Sequence, residues 1–344
     1  MNIYRQLKFF TRIKSRPVKL FGIWLMHKLR KRYIGVFLDP VMGCNLRCRM
    51  CYMSDPESSK KYRDMPRQGR LMPETLDYIA DNFFSRAVKL QIGCATEPTL
   101  YPDLPSIIRR AKESGVPYIS ITTNGQLLTE DSLREMIRDG LNEVTLSVHG
   151  FEKEVYEDMM RGARFDKFLA LMLILKKMKK EFPDFKVRMN YVMNKENTRT
   201  LARLYDVLDG LHLDVIQLRP VQDVGGKEYS DYSLDVIREC YDDIIAPIRE
   251  RCIKEATVCI CPNKENLDSL EEEFDPMVDY MEQLTYYYMF EGGINKEGFD
   301  WKEESFDDYH RRKHTASDIR RSIFNWKRKA DAIHSSRKLN YEIK

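Results

Sequence analysis

Residues 33–51 read YIGVFLDPVMGCNLRCRMC. The first seven form an apolar run that ends at Pro40, a residue with no N–H for a sheet ladder. This predicts a strand over 33–39. Directly behind it, Cys44, Cys48 and Cys51 follow at C-x3-C-x2-C spacing on a loop. Soft thiolates this close together suit an iron–sulfur cluster or zinc. A structural zinc site takes four protein ligands, and only three cysteines stand here. Three cysteines on a four-iron cube leave one iron without a protein ligand. That open iron is the chemical reason to prefer a catalytic cluster.

Outward from this stretch, strand-like and helix-like patterns alternate. Strands are expected over 88–92, 118–122, 143–148, 187–193 and 215–218, with one more over 257–260. Helices are expected over 73–84, 104–114, 130–139, 165–180 and 200–208, and a longer one over 233–252 bent at Pro247. Pro73 suits the first turn of its helix, and Gly115 and Gly140 stop theirs. Such alternation means parallel strands joined by crossover helices. Six units fit an open barrel or a doubly wound sheet, and both gather ligands at the C-terminal strand ends.

Polar segments stand at those ends. Gly93-Cys94-Ala95-Thr96-Glu97-Pro98 follows the second strand, and Thr122-Thr123-Asn124-Gly125 closes the third. Ser147-Val148-His149-Gly150 closes the fourth, with Met160-Arg161-Gly162 behind it. Asn190 lies in the fifth strand, and Gln217-Leu218-Arg219-Pro220 ends the sixth. Together with the cysteines, these segments resemble, in this order, the radical S-adenosylmethionine (SAM) superfamily over residues 33–220. The resemblance implies an α/β fold, a partial (β/α)6 TIM-type barrel of parallel strands. It implies a 4Fe–4S cluster on Cys44, Cys48 and Cys51, whose open iron chelates SAM. It also implies an enzyme that cleaves SAM reductively to a 5′-deoxyadenosyl radical, which takes hydrogen from a substrate. Its electron would come from a flavodoxin- or ferredoxin-type protein. Glu97 would accept the SAM ammonium, a charge-assisted pair. Asn124, Ser147 and Arg161 would orient SAM, Arg161 by the planar fork that suits a carboxylate. Asn190 would lie near the ribose. The family's aromatic residue before the third cysteine is Met50 here, and Tyr52 follows as a cofactor contact. Ala95 and Thr96 replace two glycines of the family's Gly-Gly-Glu-Pro segment. His149 either touches substrate or is a buried, hydrogen-bonded histidine, and Arg219 is a candidate substrate contact.

Composition bounds the rest. Hydrophobic residues are 43% of 344, charged residues 32%, and the net charge is +4, which does not point to nucleic acid. No apolar run reaches the roughly 20 residues of a membrane span, so a cytoplasmic chain is expected. Eight cysteines in a long chain without an export signal read as free thiols or ligands. Cys240, Cys252, Cys259 and Cys261 are either structural or hold an auxiliary cluster. Three parts are expected: a basic amphipathic leader over 1–32, the barrel over 33–262, and an extension over 263–344. Ten Lys or Arg precede the first acid, Asp39. The leader, with Tyr4, Phe9, Phe10, Phe21 and Trp24, therefore either caps the barrel or lies on an anionic membrane surface. Tyr286-Tyr287-Tyr288-Met289-Phe290 is expected to fold over the barrel mouth as a lid, followed by a surface helix around Ile319 and Ile323. The substrate is open: a lipid or glycan intermediate, or a peptide or protein side chain. Two alternatives stand beside the enzyme reading, a non-catalytic metal-binding module on this fold and an ordinary α/β enzyme with incidental cysteines.

Overall fold

The computed structural model describes residues 13, 15–55, 69–222, 228–267, 275–300, 303–331 and 333. Residues 1–12 and 14 of the leader, with Tyr4, Phe9 and Phe10, and residues 334–344 of the tail lie outside them. Helix α1 (Arg16–Lys28) leads into β1 (Ile34–Asp39), and a short β2 (Arg47–Cys48) follows in the cysteine loop. Then come α2 (Pro73–Ile79), β3 (Ala87–Ile92), α3 (Leu104–Glu113), β4 (Ile119–Thr123), α4 (Glu130–Asp139) and β5 (Glu143–Val148). Next are α5 (Lys153–Met159), β6 (Met160–Arg161), α6 (Phe165–Glu181), β7 (Lys186–Met193), α7 (Leu204–Leu208) and β8 (Val215–Pro220). The remainder is α8 (Asp235–Glu239), α9 (Ala246–Lys254), β9 (Val258–Ile260), α10 (Pro276–Thr285), β10 (Tyr286–Phe290), β11 (Gly293–Ile294), α11 (Phe306–Arg312), α12 (Thr315–Phe324) and α13 (Trp326–Asp331).

One sheet runs in the order β11-β10-β1-β3-β4-β5-β7-β8-β9. Its neighbours are parallel except β10 and β11. The six expected units are present, and β9 adds an edge. Along β7 and β10, buried and half-buried residues alternate. The buried set, among them Leu90, Ile121, Val144, Met189 and Leu218, packs under the helices in the main core. The opposite set includes Phe37, Lys89, Gln91, Thr122, Arg188, Asn190 and Tyr288, all half-buried. This polar face curls inward. Lys89 on β3 and Arg188 on β7 are three strands apart, and each sits within the other's electrostatic reach. Covered by helices on its apolar face, the parallel sheet is an open barrel whose inner face is polar.

Three expectations are corrected. The segment 286–290 is no lid: it is β10, a wall strand parallel to β1 with Phe37 opposite Tyr288. Its alternating burial and β-favouring aromatics explain this. The helix over 200–208 starts as a 3-10 turn at Thr198–Arg203 before α7. The helix over 233–252 breaks at the π turn Tyr241–Ile245, not at Pro247. Pro247 sits in the first turn of α9, where its missing N–H costs little.

Helix α1 buries Leu20 and Ile23 against Tyr280 and Leu284 of α10 and Ile319 of α12. Its other side leaves Val18, Phe21, Leu25 and Leu29 exposed at 53%, 51%, 38% and 56%. Among the described residues no helix is long and apolar enough to cross a membrane.

Candidate active site

The C-terminal end of β1 carries Asp39, a carboxylate with no exposed surface. It accepts hydrogen bonds from the Cys94 amide (2.7 Å), the Ala95 amide (3.0 Å), the Thr96 hydroxyl (3.0 Å) and the Tyr288 hydroxyl (2.7 Å). One buried anion thus holds the loop after β3 to both β1 and β10. Sequence reasoning passed over Asp39 as a strand terminus; an acid just before Pro40 on an apolar strand was the available signal.

Glu97 is the second brace, 2% exposed. Its Oε1 accepts from the Thr99 amide (3.2 Å), the Thr99 hydroxyl (2.6 Å) and the Thr123 hydroxyl (2.6 Å), and its Oε2 from the Asn124 amide (2.8 Å). The Glu97 amide donates to the Gly43 carbonyl at 2.9 Å, just before Cys44. The Tyr52 hydroxyl donates to the Ala95 carbonyl at 2.6 Å. The cysteine loop, the β3 loop and the β4 loop are therefore fastened to one another. Much of Glu97's acceptor capacity is taken by these internal donors.

The cysteine loop is pinned from the other side by an antiparallel ribbon in which Cys48 pairs with Met160 and Arg47 with Arg161. The Leu46 amide donates to Cys44 Sγ and the Met53 amide to Cys51 Sγ, each at 3.4 Å. Asn124 Nδ2 lies 3.9 Å from Cys44 Sγ and donates to Asn45 at 2.8 Å. Burial pushes all three thiols up, Cys44 to about 11. Each thiol also lies within electrostatic reach of the other two. Thiols this hard to ionise need a cation to become thiolates.

The three thiols lie near one another, and two of them receive N–H donors at sulfur, a soft donor set that could hold an iron–sulfur cluster.

The other expected residues are placed as follows. Ser147 and Asn190 are partners in register on the inner face of β5 and β7, with Gln217 of β8 beside Asn190. Arg161 is half exposed and ion-paired with Glu228. Met50 receives a hydrogen bond from Asn194 and packs with Met159, Val221 and Tyr229. His149 is enclosed, its Nδ1 has no partner, and burial with the nearby Arg219 charge lowers it to about 4. Cys259 lies in β9, and Cys252 and Cys261 stand within its electrostatic reach.

The model of the Radical SAM superfamily matches residues 39–208. A probable GTP 3′,8-cyclase of Metallosphaera sedula is 30% identical over 184 residues, 53% of this chain and 54% of that protein. The GTP 3′,8-cyclase of Aquifex aeolicus is 30% identical over 222 residues, 63% of this chain and 61% of that protein. The chain thus spans a little over half the length of these curated relatives. The crystal structure of Streptococcus suis SuiB bound to S-adenosylmethionine superposes with a TM-score of 0.57 at 18% identity, covering 83% of this chain and 67% of that one. The last likeness bears on the fold, and there it agrees with the parallel, helix-covered open barrel. A matched model that starts at Asp39, takes in all three cysteines and runs through β3, β4, β5 and β7 leaves one assignment: this chain belongs to the radical SAM superfamily.

Proposed function

We propose that this chain is an enzyme that cleaves S-adenosylmethionine at a 4Fe–4S cluster held by Cys44, Cys48 and Cys51, and takes hydrogen from a substrate in the barrel lumen. The observation that carries this is the grouping of three half-buried thiols on a loop at the strand ends, beside loops fastened by Asp39 and Glu97. When bound, the cluster supplies an electron and an open iron for SAM, from which the hydrogen-abstracting radical derives. The chain's own part is to position and to exclude water. Glu97 and Asp39 fix the loops against which SAM lies. Asn124 stands beside Cys44, where its amide can orient the amino-acid end of SAM. Ser147 and Asn190 offer a hydroxyl and an amide from the adjacent wall. Arg161 takes the SAM carboxylate by exchanging Glu228 for it. Tyr52 covers the site from the cysteine loop. The electron comes from a flavodoxin- or ferredoxin-type donor.

The names of the GTP cyclases, and the structure of SuiB bound to precursor peptide SuiA, describe those proteins. Neither likeness assigns a substrate here, because one spans part of a chain and the other carries the fold. We also propose that the exposed α1 stripe, flanked by Lys19 and Lys28, rests on an anionic membrane surface.

Anaerobic reconstitution tests the main reading. A brown protein with about four irons per chain that forms 5′-deoxyadenosine under dithionite supports it, with Cys44→Ala, Cys48→Ala and Cys51→Ala each abolishing both properties. A colourless zinc protein, or a Cys44→Ala variant that still cleaves SAM, overturns it.

A further inference from the structure

The lumen below the cysteine loop holds charges that the reading above does not use. Lys89 of β3 and Arg188 of β7 both project from the polar inner face, each half-buried at the wall of the open barrel. Their hydrogen-bond partners are neutral amides. Lys89 Nζ donates to Gln91 Oε1 at 2.9 Å; Arg188 donates to Asn190 Oδ1 at 3.0 Å and to Gln217 Oε1. Gln91 in turn donates to Thr122 at 3.1 Å, so the amides are oriented and leave their oxygens on the cations. The nearby acid is Glu143, fully buried, which accepts from the Tyr118 hydroxyl (2.9 Å) and the Thr145 hydroxyl (3.3 Å). It sits within reach of the Lys89 charge. Asp39, at the strand ends of the same face, is likewise occupied by amide and hydroxyl donors, so among the described residues neither Lys89 nor Arg188 is hydrogen-bonded to a carboxylate.

A second observation points the same way. Among the described residues, few buried side-chain polar atoms lack a hydrogen-bond partner, and two of them belong to the strands and strand ends of this face. Ser120 Oγ lies on the inner face between Gln91 and Glu143 in register. His149 Nδ1 lies at the end of β5, close to the Arg219 charge. Orphaned polar atoms in a folded interior are costly and mark places where something else bonds. Desolvating a lysine and an arginine against amides is costlier still. An oxyanion entering the lumen repays both, because charge-assisted bonds to a guanidinium and an ammonium are the strong kind.

We infer that the lumen is a binding site for an anionic group of the substrate, a carboxylate or a phosphate, clasped between Lys89 and Arg188. Gln217 and Asn190 hold the Arg188 fork in place, and Ser120 and His149 supply neutral contacts along the wall. The inference rests on the radical reading only in calling the ligand a substrate.

The test uses cluster-loaded protein with SAM present. Sodium phosphate, sodium pyrophosphate and sodium acetate are titrated at constant ionic strength against chloride, with heat of binding as the readout. Saturable binding of the phosphates or of acetate is expected, and whichever arm saturates names the anion. Lys89→Met and Arg188→Met should each weaken that binding about tenfold to a hundredfold, the range for a hydrogen bond to a charged group, with iron content as in the parent protein. Arg188→Lys should recover part of the loss. No saturation by any of the three anions, or binding in Lys89→Met and Arg188→Met as tight as in the parent protein, overturns the inference. Should the methionine variants fail to fold, reductive methylation of the parent protein decides. Modification of Lys89, read by mass spectrometry, must fall when the saturating anion is present, and unchanged modification overturns the site. Failure of the parent protein to form 5′-deoxyadenosine is a separate result. It defeats the radical reading and leaves the anion titration standing.

Discussion

Tyr288 donates a 2.7 Å hydrogen bond to Asp39 across 249 residues of chain. This bond joins the last wall strand, β10, to the first, β1, at the level where the cysteine loop begins. Asp39 also holds the Cys94 and Ala95 amides, so the carboxylate couples closure of the wall to the shape of the loop that faces SAM. Tyr288→Phe removes one donor and should cost about 1–2 kcal/mol of stability. Asp39→Ala strands four buried donors at once and should cost about 3–5 kcal/mol. Urea unfolding of the two variants measures both. A smaller loss in Asp39→Ala than in Tyr288→Phe would show that the carboxylate is no hub.

Glu97 makes a different prediction, because its two oxygens face only donors. Glu97→Gln keeps the shape but, in its less costly orientation, puts an NH2 group in place of Oε2, facing the Asn124 amide. One N–H···H–N opposition in a buried site costs about 2 kcal/mol. The loops it ties together also carry the Cys44 neighbourhood, so SAM affinity should fall about tenfold, a change near 1.4 kcal/mol. Equilibrium dialysis of SAM against cluster-loaded protein reads this. Unchanged affinity would mean that the loops hold their places without the carboxylate.

How much of this was legible in the sequence depends on how local each signal is. Helix α4 and strand β5 fall on the expected residues because their ends are written locally. Thr129 and Ser132 form a capping box, and Gly140 takes a φ of 121°. The C-x3-C-x2-C loop is legible for the same reason. Strand β10 was hidden because its partner β1 lies some 250 residues away, and five aromatic and apolar residues in an acidic stretch do not say what they lie beside. The β2–β6 ribbon is two residues a side, too short to show a period. Lys89 and Arg188 show the limit most plainly. Alternation puts them on one face of their strands, and a charged face ordinarily reads as the solvent face. Only the curl of the sheet turns that face into a lumen.

Tyr287 and His310 lock the tail behind the barrel. His310 Nε2 shares a 2.6 Å hydrogen bond with the Tyr287 hydroxyl, and Nδ1 shares one of 2.8 Å with Thr315. Burial, reinforced by the charges of His27, Lys296 and Arg86, pushes His310 down from 6.5 to about 3. The folded state therefore prefers the neutral ring and binds its proton less readily than the unfolded chain. The associated stability is fully present above pH 6.5 and is lost as pH falls toward 3. His310→Gln removes this titration. It should be less stable than the parent at pH 7.5, and the gap should close by up to about 1.4 kcal/mol per pH unit below 6.5. Urea midpoints of both proteins between pH 7.5 and 5 test this; a gap that stays constant would place the acid sensitivity elsewhere.

The exposed stripe on α1 sets the last prediction. Val18, Phe21, Leu25 and Leu29 recur at three- and four-residue spacing opposite the buried Leu20 and Ile23, so the helix is apolar on two sides, and among the described residues only one of them is covered. Lys19 and Lys28 flank the open side, and no acid precedes Asp39. An apolar strip with basic flanks gains from both components of an anionic bilayer. Each side chain withdrawn from water contributes about 1–2 kcal/mol, and each lysine near the surface about 1 kcal/mol. Co-sedimentation with vesicles containing phosphatidylserine should exceed that with neutral vesicles and should fall as salt rises. Phe21→Glu should reduce it at least tenfold without disturbing the fold, because Phe21 is half exposed and, among the described residues, stacks on the ring of Trp24 alone. Equal binding to neutral and anionic vesicles, or an unaltered Phe21→Glu, would remove the membrane from the account. The stripe would then be a surface for some other partner.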